Sequence, residues 1–486
     1  MKKVITLLLL TSMLLNVAAC GGDGGSGKDT TASDSSETTT ADASPVGYPY
    51  YSGNDLGGET FTVYNVKKDL WNMLCVIQPD EINGETINDA IYNRNEYVKQ
   101  QLNFALEEIN AADYATMATD LQTLVLAGDD VYDAVYMPMH LMIGGLTEGY
   151  YTCLNDVNTL HLDESWWDQV LLDATSVRGK NFFATSSAHL MGWDSLWCLF
   201  FNESMMDDLG LAYPYDLVRE GKWTLDQLST YSKAAANLNG DDSFAKNAAG
   251  NSVYGCVSFE HAVMKFLFGF DVDFVSKDSK DEPVLSCEGE RFIDACQQLA
   301  GYYGRDGEYL YADSDSSKDT YYQNFYENQR TLFLGAELKT AQLLRPMEQS
   351  FGIVPFPKLD EAQENYRSTA VHQCAVFTIP VTNTSPEKIG LVFDALSYES
   401  DERVLGPYFD ILVEQKGLRN EESIEMLNII KDTRSFDLGI AYQWVKNMEE
   451  SLRNKLLSGS TDIVGVIDTY KNEVQDSIDK MLENMK

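Results

Sequence analysis

Residues 59–138 alternate strand-like and helix-like stretches, and this alternation restricts what the chain can fold into more than any other feature. The stretch "ETFTVYNV" is rich in β-branched and aromatic residues that alternate with polar ones, which predicts a strand. In "NGETINDAIYNRNEYVKQQL", Ile87, Ile91, Val98 and Leu102 recur at helical spacing with polar residues between them. "NFALEEI" then predicts a second strand, "YATMATDLQTLVLAG" a helix stopping at Gly128, and "DVYDAVYMP" a third strand. A β-α-β-α-β run at this density implies a parallel sheet covered by helices, the α/β class.

A second region of the same kind starts near Trp193. "WDSLWCLFFN" is a long apolar run suited to a buried strand, and in "KWTLDQLSTYSKAAANL" Thr224 and Gln227 have capping-box spacing, which predicts a helix start. "RTLFLGAELKTAQLL" reads as strand then helix, and "FGIVPFPKL" as a strand broken by Pro355 and Pro357. "CAVFTIPVTNTSPEKIGLVFDALSYES" reads as strand, turn and helix, and residues 421–486 as mostly helical. No internal repeat is present.

The N-terminus does not belong to this pattern. Met1, Lys2 and Lys3 precede an apolar run over residues 4–19 that is too short to span a bilayer. The run ends in "LLNVAAC", with small residues before Cys20, and resembles a bacterial lipobox. The resemblance implies removal of residues 1–19 and a diacylglycerol thioether on Cys20, which would hold the protein on the extracellular face of the membrane by its lipid alone. Residues 20–58 are dominated by Gly, Ser, Thr and Asp and predict a disordered tether. Such a chain reaches about 30–35 Å on average. The roughly 430 residues that follow exceed one hydrophobic core and imply two lobes.

A net charge of −39 excludes nucleic acid and anionic lipid as general partners. Beyond Cys20 the cysteines number seven, an odd count without a C-x-x-C pair, which excludes a zinc ribbon and a thioredoxin motif. Cys198, Cys256 and Cys374 lie in apolar stretches and read as buried thiols. The five histidines show no i, i+4 pair, and neither a G-x-S-x-G elbow nor a phosphate-binding glycine loop occurs. A binder without cofactor or metal is therefore expected rather than an enzyme. With 75 acidic residues some carboxylate pairs are inevitable, so a glycan-acting surface enzyme stays as one alternative. A surface sensor or adhesin outside transport is the other.

Four stretches taken together resemble the extracellular solute-binding proteins of family 1, the receptor components of ABC importers. They are the lipobox with its tether, "NGETINDAIYNRNEYVKQQLNFALEEI", "WDSLWCLFFNESMMDDLGL…YPYDLVREGKWTLDQL", and "FGIVPFPKLDEAQENY…CAVFTIPVTNTSPEKIGLVFDAL". The resemblance implies a periplasmic-binding-protein-like fold of two α/β lobes joined by crossing hinge strands. It also implies a monomer that closes on a small solute, commonly a sugar or oligosaccharide, and passes it to permease subunits. The apolar crossings place residues 57–187 with 370–405 in the first lobe, and residues 188–369 with 406–486 in the second.

Ligands of open α/β sheets bind beyond the carboxyl ends of the strands. Sugars stack their C–H faces on aromatic rings and pair their hydroxyls with polar side chains. These two arguments select Asp69 and Trp71 after the first strand, His140 with Met139 after the third, and Trp193 and Asp194 at the first crossing. They also select Tyr254 and Glu337 in the second lobe, and His372 with Gln373 at the return crossing. Trp166, Trp167 and Trp197 are assigned to packing.

Overall fold

Short apolar runs become strands here, and amphipathic runs become the helices that cover them. The structure, a computed structural model, describes residues 47–244, 250–311, 328–370, 374–413, 418 and 420–484. Cys20, the signal segment and most of the tether lie outside these residues. Strands β1 (Glu59–Asn65), β2 (Phe104–Asn110) and β3 (Ala134–Pro138) come first, followed by β4 (Trp197–Asn202) and β5 (Tyr254–Ser258). The hairpin β6 (Val275–Lys277) and β7 (Pro283–Leu285) leads to β8 (Tyr309–Tyr311), β9 (Thr331–Glu337) and β10 (Phe351–Val354). Last come β11 (Ser368–Thr369), β12 (Ala375–Thr378) and β13 (Arg434–Ser435).

Two sheets carry the fold, each the core of one α/β lobe. The first has the order β12-β3-β1-β2, with β1 parallel to both neighbours and β12 antiparallel to β3. The second has the order β10-β4-β9-β5-β8, with β4 antiparallel to β9 and β10, and β5 parallel to β8 and β9. Helix Thr86–Leu102 buries Ile87, Ile91, Val98 and Leu102, the stripe read from its spacing. It stops where Asn103 turns left-handed at φ 52°, and its amide donates to the Lys99 carbonyl. Gly128, at φ 75°, ends helix Met117–Ala127 in the same way. Helix Leu225–Ala235 starts where the Thr224 hydroxyl accepts the Gln227 amide at 3.4 Å.

Three segments cross between the sheets and lie side by side. Leu196, before β4, bridges Ala370, while β11 pairs in parallel with β13. Away from this hinge, the β6–β7 turn reaches the loop after helix Gln169–Thr175. Asp281 accepts the Gly179 amide at 2.8 Å, and Arg178 pairs with Glu282 at 2.8 Å.

Three details differ from the sequence reading. Residues 48–58, read as the end of a disordered tether, pack on the fold: Tyr48 is buried and its hydroxyl donates to Asp394 at 2.8 Å. Strand β4 starts at Trp197, because the amides of Asp194 and Ser195 donate to the carbonyls of Leu190 and Met191 and wind Met191–Asp194 into a helical turn. The helix expected after β9 is one turn, Thr340–Leu343. The seven cysteines beyond Cys20 are free thiols, all buried except the half-buried Cys153.

Candidate functional site

The loop after β1 is built around two residues in an unusual backbone conformation. Trp71 and Asn72 lie at φ 55° and 58°, the left-handed region that disfavours a bulky side chain. Contacts from far along the chain hold the loop there. The Lys339 ammonium donates to the Trp71 carbonyl at 2.5 Å, and the Asp194 carboxylate accepts the Leu74 amide at 2.7 Å. The second Asp194 oxygen accepts the Tyr408 hydroxyl at 2.8 Å, and the Asp194 carbonyl accepts the Lys339 amide at 3.2 Å. The half-buried Trp71 ring meets Tyr114 edge-on at 4.9 Å, forming an aromatic shelf at the strand ends.

Glu337 ends β9 two residues before Lys339 and is nearly buried. Burial pushes its carboxyl up, while Lys339 and Lys265 pull it back. Lys265, itself buried, donates to the Ala370 carbonyl at 3.0 Å, and burial lowers its ammonium to about 8. His140 follows β3 and is half-buried. Burial, then the Lys446 charge, push its imidazole down to about 4, so it is neutral at pH 7. Asp69 stays exposed and pairs with Lys67 at 3.0 Å, whose hydrogen bond lowers its carboxyl.

The structure thus joins Trp71, Asp194 and, through Lys339, the end of β9 carrying Glu337. Asp194 differs from its expected role. It is fully buried, its carboxylate is committed to Leu74 and Tyr408, and burial raises it to about 6. Tyr254 is not brought to this group. It opens β5 opposite Thr331, the start of β9, whereas Glu337 stands at the far end of that strand. His372 and Gln373 lie outside the described residues. Trp166 and Trp167 pack, as read, and donate their indole N–H groups to Asp394 at 2.9 and 2.7 Å. Trp197 is wholly buried.

Trp193 points elsewhere. The Arg434 guanidinium lies over its ring at 4.2 Å, Phe409 meets it edge-on at 5.3 Å, and it borders a cavity of about 320 Å³. Trp166, Trp167, Asp168, Asp401 and Arg434 also line that space. Among the described residues no cluster of His, Cys, Asp and Glu is arranged to hold a metal, and no helix is long and apolar enough to cross a membrane.

Sequence reasoning missed Tyr114, Lys339 and Arg434. Lys339 was within reach of the strand-end argument that selected Glu337. Tyr114 and Arg434 carry no local signal, since only the fold brings them to Trp71 and Trp193.

No protein-family model matches the sequence, and no curated protein matches it. Solved structures share its fold. An ABC substrate-binding protein from Listeria monocytogenes in complex with cycloalternan superposes with a TM-score of 0.54 at 12% identity, over 88% of this chain and 99% of that one. The GacH receptor of Streptomyces glaucescens, solved unliganded and with acarbose, gives 0.55 at 12% identity, over 86% and 99%. UgpB from Mycobacterium tuberculosis in complex with glycerophosphocholine gives 0.55 at 14% identity, over 81% and 96%. At these identities the likeness establishes the architecture, a two-lobe periplasmic-binding-protein-like α/β fold.

Proposed function

We propose that this chain is an extracellular solute receptor, lipid-anchored through Cys20, that delivers a sugar or oligosaccharide to an ABC importer. One observation carries the reading. Strand-end loops from both sheets meet where Lys339, two residues after Glu337, donates to the carbonyl of Trp71, whose ring packs on Tyr114. An aromatic face flanked by a carboxylate and an ammonium suits a ring with an apolar face and hydroxylated edges. The carbohydrates held by the Listeria and Streptomyces proteins support the same class of solute.

In this reading residues 57–187 with 370–405 and residues 188–369 with 406–486 are the two jaws, and the three crossings are the hinge. His140 and Asp69 form the outer edge of the site. The chain binds without chemistry, so oligosaccharide is recovered intact after incubation.

A thermal-shift and calorimetric screen of linear and cyclic glucans tests the reading. Binding of a glucan by the parent, lost in Trp71→Ala without loss of fold, supports it. Turnover of the glucan would make the chain an enzyme, and no binding by a folded parent would reject the solute class. Cys20→Ser should release the folded protein from the membrane; equal detergent-phase partitioning of both forms would reject the anchor.

A further inference from the structure

The cavity beside Trp193 shares no lining residue with the Trp71 shelf, and two of its lining residues carry a buried polar atom without a partner. The Thr185 hydroxyl and the His189 Nδ1 have no hydrogen-bond partner among the described residues. Both residues line the cavity, at 5% and 0% exposure. Unpaired buried groups are rare and costly, and two in one cavity call for an occupant. His189 Nε2 lies 3.2 Å from Asn65 Oδ1, an oxygen that accepts the Val66 amide. Nε2 therefore carries the proton and donates, which leaves Nδ1 as a bare acceptor. Burial lowers the imidazole to about 3, so it stays neutral.

The charged groups of the wall are already spoken for. Arg434 pairs with Asp168 at 2.6 Å and stacks on Trp193. Burial raises the Asp401 carboxyl to about 6, against the pull of Ser187 and Arg434. An ionic ligand would have to displace the Arg434–Asp168 pair, and a purely apolar one would leave Thr185 and His189 unsatisfied. The volume stands at the lower end of small-molecule sites, which run from about 300 to 1,000 Å³.

We propose that this cavity is a second binding pocket, for one neutral polyhydroxylated ring of monosaccharide size. A hydroxyl of the ring donates to His189 Nδ1, another pairs with Thr185, and an indole edge supports its C–H face. The proposal is independent of the solute reading above, because it uses none of the shelf residues.

The test uses the full mature chain carrying Trp71→Ala, so that the shelf is disabled. Glucose, galactose, mannose, N-acetylglucosamine and myo-inositol are titrated by calorimetry and tryptophan fluorescence. One of them should bind with a stoichiometry near one. Adding Thr185→Val should weaken it by about tenfold or more, while the melting temperature without ligand holds or rises, because a methyl replaces an unpaired hydroxyl. Asp401→Asn, which preserves shape, serves as a second variant and should also weaken binding. Failure of all five probes to bind the folded Trp71→Ala protein overturns the pocket and leaves the shelf reading intact. So does unchanged affinity in the folded variants. Absence of glucan binding by the folded parent, with monosaccharide binding retained in the Trp71→Ala protein, would reject the first reading and keep this one.

Discussion

Trp71 and Trp193 look alike in sequence, each close to an aspartate at the end of an apolar stretch, yet the fold uses them in opposite ways. Asp69 stays in water and pairs with Lys67 on the surface, leaving Trp71 and Tyr114 as a shelf. Asp194 is buried and takes the Leu74 amide and the Tyr408 hydroxyl, while Trp193 turns toward Arg434 and the cavity. A carboxylate beside a tryptophan therefore says little about ligand contact until its own hydrogen bonds are counted. The two regions are also linked, because Asp194 fixes the loop that carries Trp71.

The largest expected effect follows from that link. Asp194→Ala leaves a buried amide and hydroxyl without their acceptor, and should destabilise the protein by about 3 kcal/mol in urea unfolding. It should also weaken solute binding at the shelf, although Asp194 itself is buried. Asp69→Ala, on an exposed pair, should change stability by no more than about 0.5 kcal/mol. Similar losses in the two variants would erase the contrast between the two aspartates.

Affinity sharpens the comparison next. Trp71→Ala should weaken the glucan found by the screen roughly thirtyfold, about 2 kcal/mol, at an unchanged melting temperature without ligand. Trp193→Ala should change the same affinity by less than about threefold, since its ring serves the other cavity. The reverse order would move the solute site to Trp193. Lys339→Met removes the donor that holds the Trp71 carbonyl, and calorimetry should show a loss of about fivefold, near 1 kcal/mol. Full affinity in that variant would mean the left-handed loop holds without it.

Much of the fold was legible because local patterns encode it. The stripe from Ile87 to Leu102, the stop at Gly128 and the cap at Thr224 all stand where spacing and side-chain chemistry put them. The turn at Met191–Asp194 was not, since Trp193, Leu196 and Trp197 draw Asp194 and Ser195 into one long apolar run and mask them as turn residues. The site was less legible for a different reason. The bond from Lys339 to Trp71 joins residues 268 positions apart, and that from Asp194 to Leu74 joins residues 120 apart. No window along one sequence carries such pairings. Strand-end reasoning selects Trp71 and Glu337 from topology alone, whereas Tyr254 opens its strand instead of closing it.

The smallest effect concerns the acid balance of the Trp193 region. Asp401 sits at about 6 in the folded protein against an ordinary value of 3.8, chiefly through burial, with Glu402 and Asp168 adding to the rise and Ser187 and Arg434 opposing it. A carboxyl raised by folding binds its proton more tightly in the native state. Its burden on stability is therefore absent below the unfolded value, grows as pH rises between the two values, and is complete above the folded one. Asp401→Asn should be neutral near pH 4 and stabilising near pH 7. Partial solvent screening reduces the gain to about 0.5–1 kcal/mol. His140 and His189 act in the opposite direction, because lowered imidazoles lose stability as pH falls below their unfolded value. They are present in both proteins, so they cancel in the difference. Urea unfolding of parent and variant at pH 4, 5, 6 and 7 measures it. An equal gain at every pH would mean that Asp401 acts through packing and not through its charge. The corresponding series for Asp69→Asn should stay flat, because its lowered carboxyl lies in open solvent beside Lys67.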